Sequence, residues 1–230
     1  DLELPKTLLA HGWWLTDENK MSKSIGNVIK PLDLADEFGV DSLRYYLMRN
    51  MVLGQDASFS RESFIKRYNA DLANDYGNVI NRITILIQKN FDGLCPEPGS
   101  YGEVENNIIN FSNKVISEVE HNMQQLKIHD ALEYILSLIR EINKYLEIKQ
   151  PWKLIKVDKS QKSGAATSLY VAAELLRISS ALLYPYMPEK ANLTLASLSQ
   201  TDTNHNLEFG QLKPNVIIKS PGALFPRIEE

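Results

Sequence analysis

Between residue 60 and about residue 197, apolar side chains return every three or four positions, and that period leaves few folds open. Leu72, Tyr76, Val79, Ile83 and Leu86 form one such stripe. Phe111, Val115, Val119, Met123 and Leu126 form a second, and Leu132, Ile135, Ile139, Ile142 and Leu146 a third. Leu169, Ala173, Leu176 and Leu183 form a fourth. A stripe of that spacing covers one face of an α-helix and must be buried against another element. Four amphipathic helices and a shorter one after Pro188 predict a helical bundle. The breaks fall between the stripes: Cys95-Pro96-Glu97-Pro98-Gly99-Ser100 reads as a loop, Gln150-Pro151 ends or interrupts the third helix, and Tyr184 to Pro188 turns into the last.

The flanks read differently. Leu8 to Leu15 predicts a buried strand, and Thr16 to Asn19 a polar connection. Pro31 suits a first helical position, Gly39 a position just past a helix, and Asp41 the cap of a second short helix that continues through Arg49. Gly54 to Phe59 predicts a turn and a short strand, with Ser60 capping the first bundle helix. Near the end, Val216-Ile217-Ile218 between Pro214 and Pro221 predicts a strand-like arm packed back on the body. The resulting division is residues 1–59 as the end of an α/β unit, 60–203 as the bundle and 204–230 as the arm, a mainly α chain overall. No internal repeat or low-complexity segment is present.

Composition bounds the function. Apolar residues make up 43% and charged residues 23%, as in an ordinary globular protein, and a net charge of −4 excludes a generic nucleic-acid coat. RNA binding would need a local patch, and one is readable: Lys144, Lys149, Lys153, Lys156, Lys159 and Lys162 face only Glu147 and Asp158 in that stretch. The single cysteine, Cys95, excludes an intramolecular disulfide and a cysteine zinc cluster, so a reducing compartment and no structural metal are expected. With no apolar run near the roughly 20 residues of a membrane span, no membrane partner is expected. Three weaker patterns have bland readings. Asp33, Asp36 and Glu37 make a solvated acidic face, His129-Asp130 sits at a helix start, and Trp13 and Trp14 pack a strand on a core.

Three constellations carry chemistry. Lys20-Met21-Ser22-Lys23-Ser24, followed by Gly26-Asn27, sets two ammonium groups three positions apart on a loop, an arrangement for holding phosphate. Lys20 and Lys23 would contact the phosphates, Met21 would act as an apolar anchor, and Ser22 and Ser24 would satisfy backbone groups or reach phosphate oxygens. Asn74, Asn78 and Arg82, spaced by four, share one side of the first long helix. Amides and a guanidinium there suit the edges of splayed-out bases, and spacing alone equally fits a solvated polar face. Third, Trp152 lies between Pro151 and Lys153 inside the basic stretch, where it can either stack a base or belong to the core.

The lysine string resembles the KMSKS signature of class I aminoacyl-tRNA synthetases. The stretch Asn69 to Arg82 resembles the first anticodon-domain helix of methionyl-tRNA synthetases, and Pro151-Trp152-Lys153 and Gly222 to Ile228 resemble further segments of that family. The resemblance runs over essentially the whole chain. It implies a Rossmann-type α/β domain ending in a small stem-contact fold, followed by a helical anticodon-binding bundle. It implies ATP, with Mg2+ in the complete enzyme, and methionine tRNA as the nucleic-acid partner. It places phosphate contacts and transition-state stabilisation on Lys20 and above all on Lys23, and anticodon reading on Asn78, Arg82 and a stacking Trp152. His11, His121, His129 and His205 never form the His-x-Gly-His signature of such enzymes. The half bearing it, with most of the methionine pocket, is expected before Asp1, so this chain should not make an adenylate alone. The compartment implied is the cytoplasm, with the mitochondrial matrix as alternative. Rival readings are a synthetase of the isoleucine, valine, leucine or cysteine subgroup and a non-catalytic tRNA-binding module.

Overall fold

The computed structural model describes residues 3–16, 19–20, 29–157, 162–201 and 206–229. Strand β1 (Trp14–Thr16) pairs antiparallel with β2 (Asn19–Lys20) and parallel with β3 (Ala57–Phe59). Helices α1 (Pro31–Phe38) and α2 (Val40–Asn50) make the crossover between the two parallel strands. Pro31 stands at the helix start and Gly39, at φ 84°, closes α1 by donating its N–H to the Ala35 carbonyl. The expected buried strand over Leu8 to Leu15 shrinks to its last two residues plus Thr16. Residues 3–13 carry no regular element, and Leu8 is 93% exposed. Apolar side chains without a pairing partner do not make a strand; pairing begins only where the Trp13 carbonyl accepts Ala57 N–H at 2.9 Å. Gly12 allows that approach, since a Cβ there would lie 1.9 Å from the Gln55 carbonyl oxygen.

Asp41 does not cap α2. It lies inside the helix, buried, and its Oδ2 accepts the Lys190 N–H at 2.7 Å, the first turn of α9 (Pro188–Ser197). Burial pushes the Asp41 carboxyl above its usual range against that bond. Arg44, on the same helix, donates to the carbonyls of Pro185 and Tyr186 at 2.9 and 3.1 Å. The small α/β unit is therefore locked onto the bundle through α2.

Ser60 caps α3 (Arg61–Arg67) as expected, its Oγ accepting Ser63 N–H at 3.0 Å. The helix continues without a break through a π-helical segment, Tyr68–Gly77, into α4 (Asn78–Asn90). Helices α5 (Glu103–Gln124) and α6 (Ile128–Lys149) follow as an antiparallel pair. Gln150 turns left-handed at φ 45°, and α7 (Pro151–Val157) begins on the proline.

Helix α8 (Lys162–Leu183) departs from its expected single stripe, because every residue from Ala165 to Leu183 is buried. It is long and apolar enough to cross a membrane, yet its apolar window lies entirely inside the bundle. A helix apolar all round is a core helix when neighbours surround it. It carries two buried charges, and both are satisfied. Glu174 and Arg177 pair at 2.8 Å, Glu174 accepts the N–H groups of Gly210, Gln211 and Leu212, and Arg177 donates to the carbonyls of Asn206 and Glu208. Farther on, Val216 and Asn215 pair with Cys95, Ile218 bonds Gly93, and Asn69 exchanges two hydrogen bonds with the Ile228 backbone. These contacts hold the chain after Leu212 against the bundle. Burial beside Glu174 pushes the Cys95 thiol up to about 12, so it is a protonated core residue.

Replacing Glu174 with Gln is expected to cost roughly 3–5 kcal/mol, because Arg177 then keeps its charge in the core without a counter-ion. Urea unfolding of the two proteins measures it; a loss below about 1 kcal/mol would show that the clasp is not what holds the arm.

Candidate nucleic-acid interface

The chemistry of α4 follows from its register. Val79, Ile80, Ile83 and Ile87 are fully buried, which turns Asn78, Asn81, Arg82 and Ile85 outward or to the margin. Trp152 arrives from the other side, at the first turn of α7, placed there by the left-handed Gln150 and by the buried Pro151. It is half-buried and packed on the core's edge. The two elements meet: the Arg82 guanidinium lies 4.3 Å from the centre of the Trp152 indole, within cation–π range. Asn78, Asn81, Arg82, Ile85, Leu86, Glu147 and Trp152 line one open pocket of about 540 Å³.

Asn78, Arg82 and Trp152 are thus brought together from positions about seventy residues apart in the chain. Asn74 is not among the lining residues; it is exposed within the π-helical segment, where a spacing of four is less than a turn. Asn81 and Glu147 take places that the sequence reading did not assign. Glu147 accepts a hydrogen bond from Arg82 Nη2, which holds the guanidinium over the indole.

The basic stretch is less cationic than it reads. Lys144 pairs with Glu141 at 3.1 Å, Lys149 with Glu105 at 2.8 Å, and Lys162 lies 5.2 Å from the centre of the Phe91 ring. Lys153 and Lys156 are exposed on α7, and Lys159 lies outside the described residues. Glu105 is nearly fully buried and also accepts from the Tyr145 hydroxyl and the Gly102 N–H, both at 3.0 Å. Burial works to raise its pKa, but Lys149, Tyr145 and the backbone donor outweigh it and leave the carboxyl below its usual value. That cluster fixes the end of α6 immediately before the turn that presents Trp152.

Of the lysine loop, Met21, Ser22, Lys23 and Ser24 lie outside the described residues. Lys20 is placed by its backbone in β2, opposite Leu15. Among the described residues no group of three or more His, Cys, Asp or Glu could hold a metal ion. His129 and Asp130 contact each other at 3.0 Å in the first turn of α6, as a helix-start pair.

Residues 1–84 match the family described as tRNA synthetases class I (M). A parallel β–α–β unit leading into a helical bundle is consistent with that class. Residues 95–230 match the anticodon binding domain of methionyl tRNA ligase, and the chain belongs to the methionyl-tRNA ligase family. The methionine--tRNA ligase of Caldanaerobacter subterraneus subsp. tengcongensis is 41% identical over 99% of this chain and 36% of its own length. That of Mycobacterium tuberculosis is 35% identical over 99% of this chain and 44% of its own. The solved Mycobacterium tuberculosis methionyl-tRNA synthetase in complex with methionyl-adenylate superposes with a TM-score of 0.92 at 35% identity, covering 98% of this chain and 45% of that one. Its apo form gives 0.89 at 32% identity, with 100% and 45% covered. The chain spans 36–45% of the length of these relatives.

Glu105 makes the fold acid-sensitive in a defined direction. Its folded pKa is depressed, so its stabilisation is present above the unfolded value and lost as pH falls through the folded one. The melting-temperature difference between wild type and Glu105→Gln should shrink between roughly pH 5 and pH 3. A difference that stays constant across that window would contradict the assignment.

Proposed function

We propose that this chain serves a methionine–tRNA ligase, supplying the KMSKS phosphate loop and the recognition of the methionine anticodon. One observation carries the reading: Asn78 and Arg82 of α4 and Trp152 of α7 line one pocket although about seventy residues separate the two helices in the chain. The indole and guanidinium offer a flat π-surface on which an unstacked base can rest, worth roughly 1–3 kcal/mol per base. The amides of Asn78 and Asn81 offer paired donors and acceptors to a Watson–Crick edge. Direct contacts of this kind suit a chain with a net charge of −4, which cannot rely on bulk attraction to phosphate.

In the complete enzyme methionine and ATP, the latter with Mg2+, would react to methionyl-adenylate and pyrophosphate, and the methionyl group would then pass to tRNA. The role of Lys20 and Lys23 is to neutralise charge developing on the departing pyrophosphate, with Met21, Ser22 and Ser24 shaping the loop around it. Residues 1–59 act as the end of the nucleotide-binding unit with its stem-contact fold, 60–203 as the anticodon-binding bundle, and 204–230 as the arm that braces it. The compartment is the cytoplasm, or the mitochondrial matrix of a eukaryote; no membrane partner is proposed.

The 230 residues alone are expected to show no methionine-dependent ATP–pyrophosphate exchange, and exchange above background would refute the division of labour. In the complete enzyme, Lys23→Ala should lower the rate of adenylate formation more than it weakens methionine binding, since its charge is needed most as pyrophosphate leaves. Rapid-quench measurement of adenylate formation checks this, and an unchanged rate with weakened methionine binding would reverse the role. Trp152→Ala should reduce charging of methionine tRNA by about one to two orders of magnitude, in keeping with loss of a stacked base. Exchange should stay near normal. Parallel loss of charging, exchange and melting temperature would mean that Trp152 is only a packing residue.

A further inference from the structure

The π-helical stretch Tyr68–Gly77 has no counterpart in the sequence pattern, and it immediately precedes Asn78 and Arg82. A π-helix, bonded i to i+5, turns less per residue than an α-helix, so its length and integrity set the direction in which the following helix presents its side chains. Several contacts hold it. Asp71 is 3% exposed and accepts from the Tyr45 hydroxyl at 2.7 Å and from Arg67 and Arg140, each at 3.4 Å. Arg140 Nε donates to Asp75 Oδ2 at 2.9 Å, and Asn143 Nδ2 donates to the Asp75 carbonyl at 3.2 Å. Gly77 closes the stretch with no room to spare, since a Cβ there would lie 3.0 Å from the Leu72 carbonyl oxygen and 3.8 Å from Phe225.

Among the described residues, Arg140 is the side chain that touches both carboxylates, and it is itself steadied by Glu133 at 2.7 Å. Two turns along the same helix, Glu147 holds Arg82. Helix α6 therefore holds both the π-helical stretch and the pocket's guanidinium.

We propose that Arg140 is a positioning residue for anticodon recognition: by holding Asp71 and Asp75 it fixes the π-helical stretch, and through it the direction in which Asn78 and Arg82 enter the pocket. The proposal rests on the reading of that pocket as an anticodon site. Arg140 touches no base; it acts through the backbone it restrains. A residue with a merely structural role would lower the fraction of binding-competent chain. A positioning residue lowers the ability to tell one base from another.

The test measures binding of the 230-residue chain to two RNA stem-loops, one with the methionine anticodon CAU and one with CUU, for wild type, Arg140→Met, Arg140→Lys, Asp75→Asn and Trp152→Ala. Arg140→Met should weaken binding of the CAU loop about tenfold and collapse the CAU-to-CUU ratio, at unchanged stoichiometry. Asp75→Asn, which keeps shape and removes one charge, should shift the ratio the same way by a smaller factor, and Arg140→Lys should fall between wild type and Arg140→Met. If Arg140→Met fails to fold, Asp75→Asn decides alone. A wild-type ratio in both Arg140→Met and Asp75→Asn, with CAU binding weakened in Trp152→Ala, overturns the positioning role and leaves the site standing. Wild-type CAU affinity in Trp152→Ala as well overturns both.

Discussion

Burial of α8 is the constraint on which the rest of the molecule depends. A helix whose sides are all removed from water needs neighbours on every side, and α4, α5, α6, α7 and α9 supply them. Its two charges then dictate the course of the C-terminal arm. Glu174 offers both carboxylate oxygens to three successive backbone N–H groups and to Arg177, and Arg177 spends its remaining donors on two carbonyls of the same loop. A buried pair satisfied this completely is tolerated; with either partner alone, the remaining charge would be stranded at a cost of several kcal/mol. The pair thus selects one path for residues 206–212, after which Ile218, Leu224 and Phe225 are carried into the core.

From that core outward the contacts become polar and directional. The aromatic group of Trp14, Tyr46, Phe59 and Phe64 fastens the three-stranded sheet to α2 and α3. Asp41 and Arg44 then fasten α2 to the turn before α9. Arg49, paired with Glu133, carries the connection to α6. An uninterrupted chain of packed and charged contacts therefore joins the strands beside the lysine loop to the helix that holds Arg82.

The sequence was a good guide where a local rule and a tertiary requirement agree. Helical period, the Ser60 cap, the Pro31 start and the Gln150-Pro151 break were legible because each concerns backbone groups that must be satisfied wherever the segment sits. The convergence of Asn78, Arg82 and Trp152 was legible through the family resemblance and not through spacing, which left the polar face open to a solvent reading. What stayed hidden depends on partners far away in the chain. Nothing near Leu8 reveals that its stretch remains exposed, and Asp41 caps a helix about 150 residues later. The Tyr68–Gly77 segment is rich in weak helix formers, and the ion pairs that accompany its π-helical winding come from α6, far along the chain. One signal was available: Glu133, Arg140, Asn143 and Glu147 recur at spacings of seven, three and four beside the apolar stripe of α6, a polar row with something to hold.

The neutralisation of lysines bears on how such a pocket can be selective. If the patch around Trp152 were the dense positive surface that its sequence suggests, phosphate attraction would favour any RNA alike, because that attraction carries no sequence information. Pairing Lys144 with Glu141 and Lys149 with Glu105 removes charge from the neighbourhood and uses it to fix the end of α6. The polar groups that line the pocket with Trp152 are a stacked guanidinium, two amides and a carboxylate, groups that discriminate by direction and by hydrogen-bond pattern, while Lys153 and Lys156 stand exposed on α7 outside that lining. Glu147 sharpens this further, since a carboxylate at the pocket wall repels phosphate and accepts only donors. On the proposed reading, selectivity gains more from a rigid pocket whose charges are paired than from a positive one, and rigidity here comes from the same ion pairs that lower the charge.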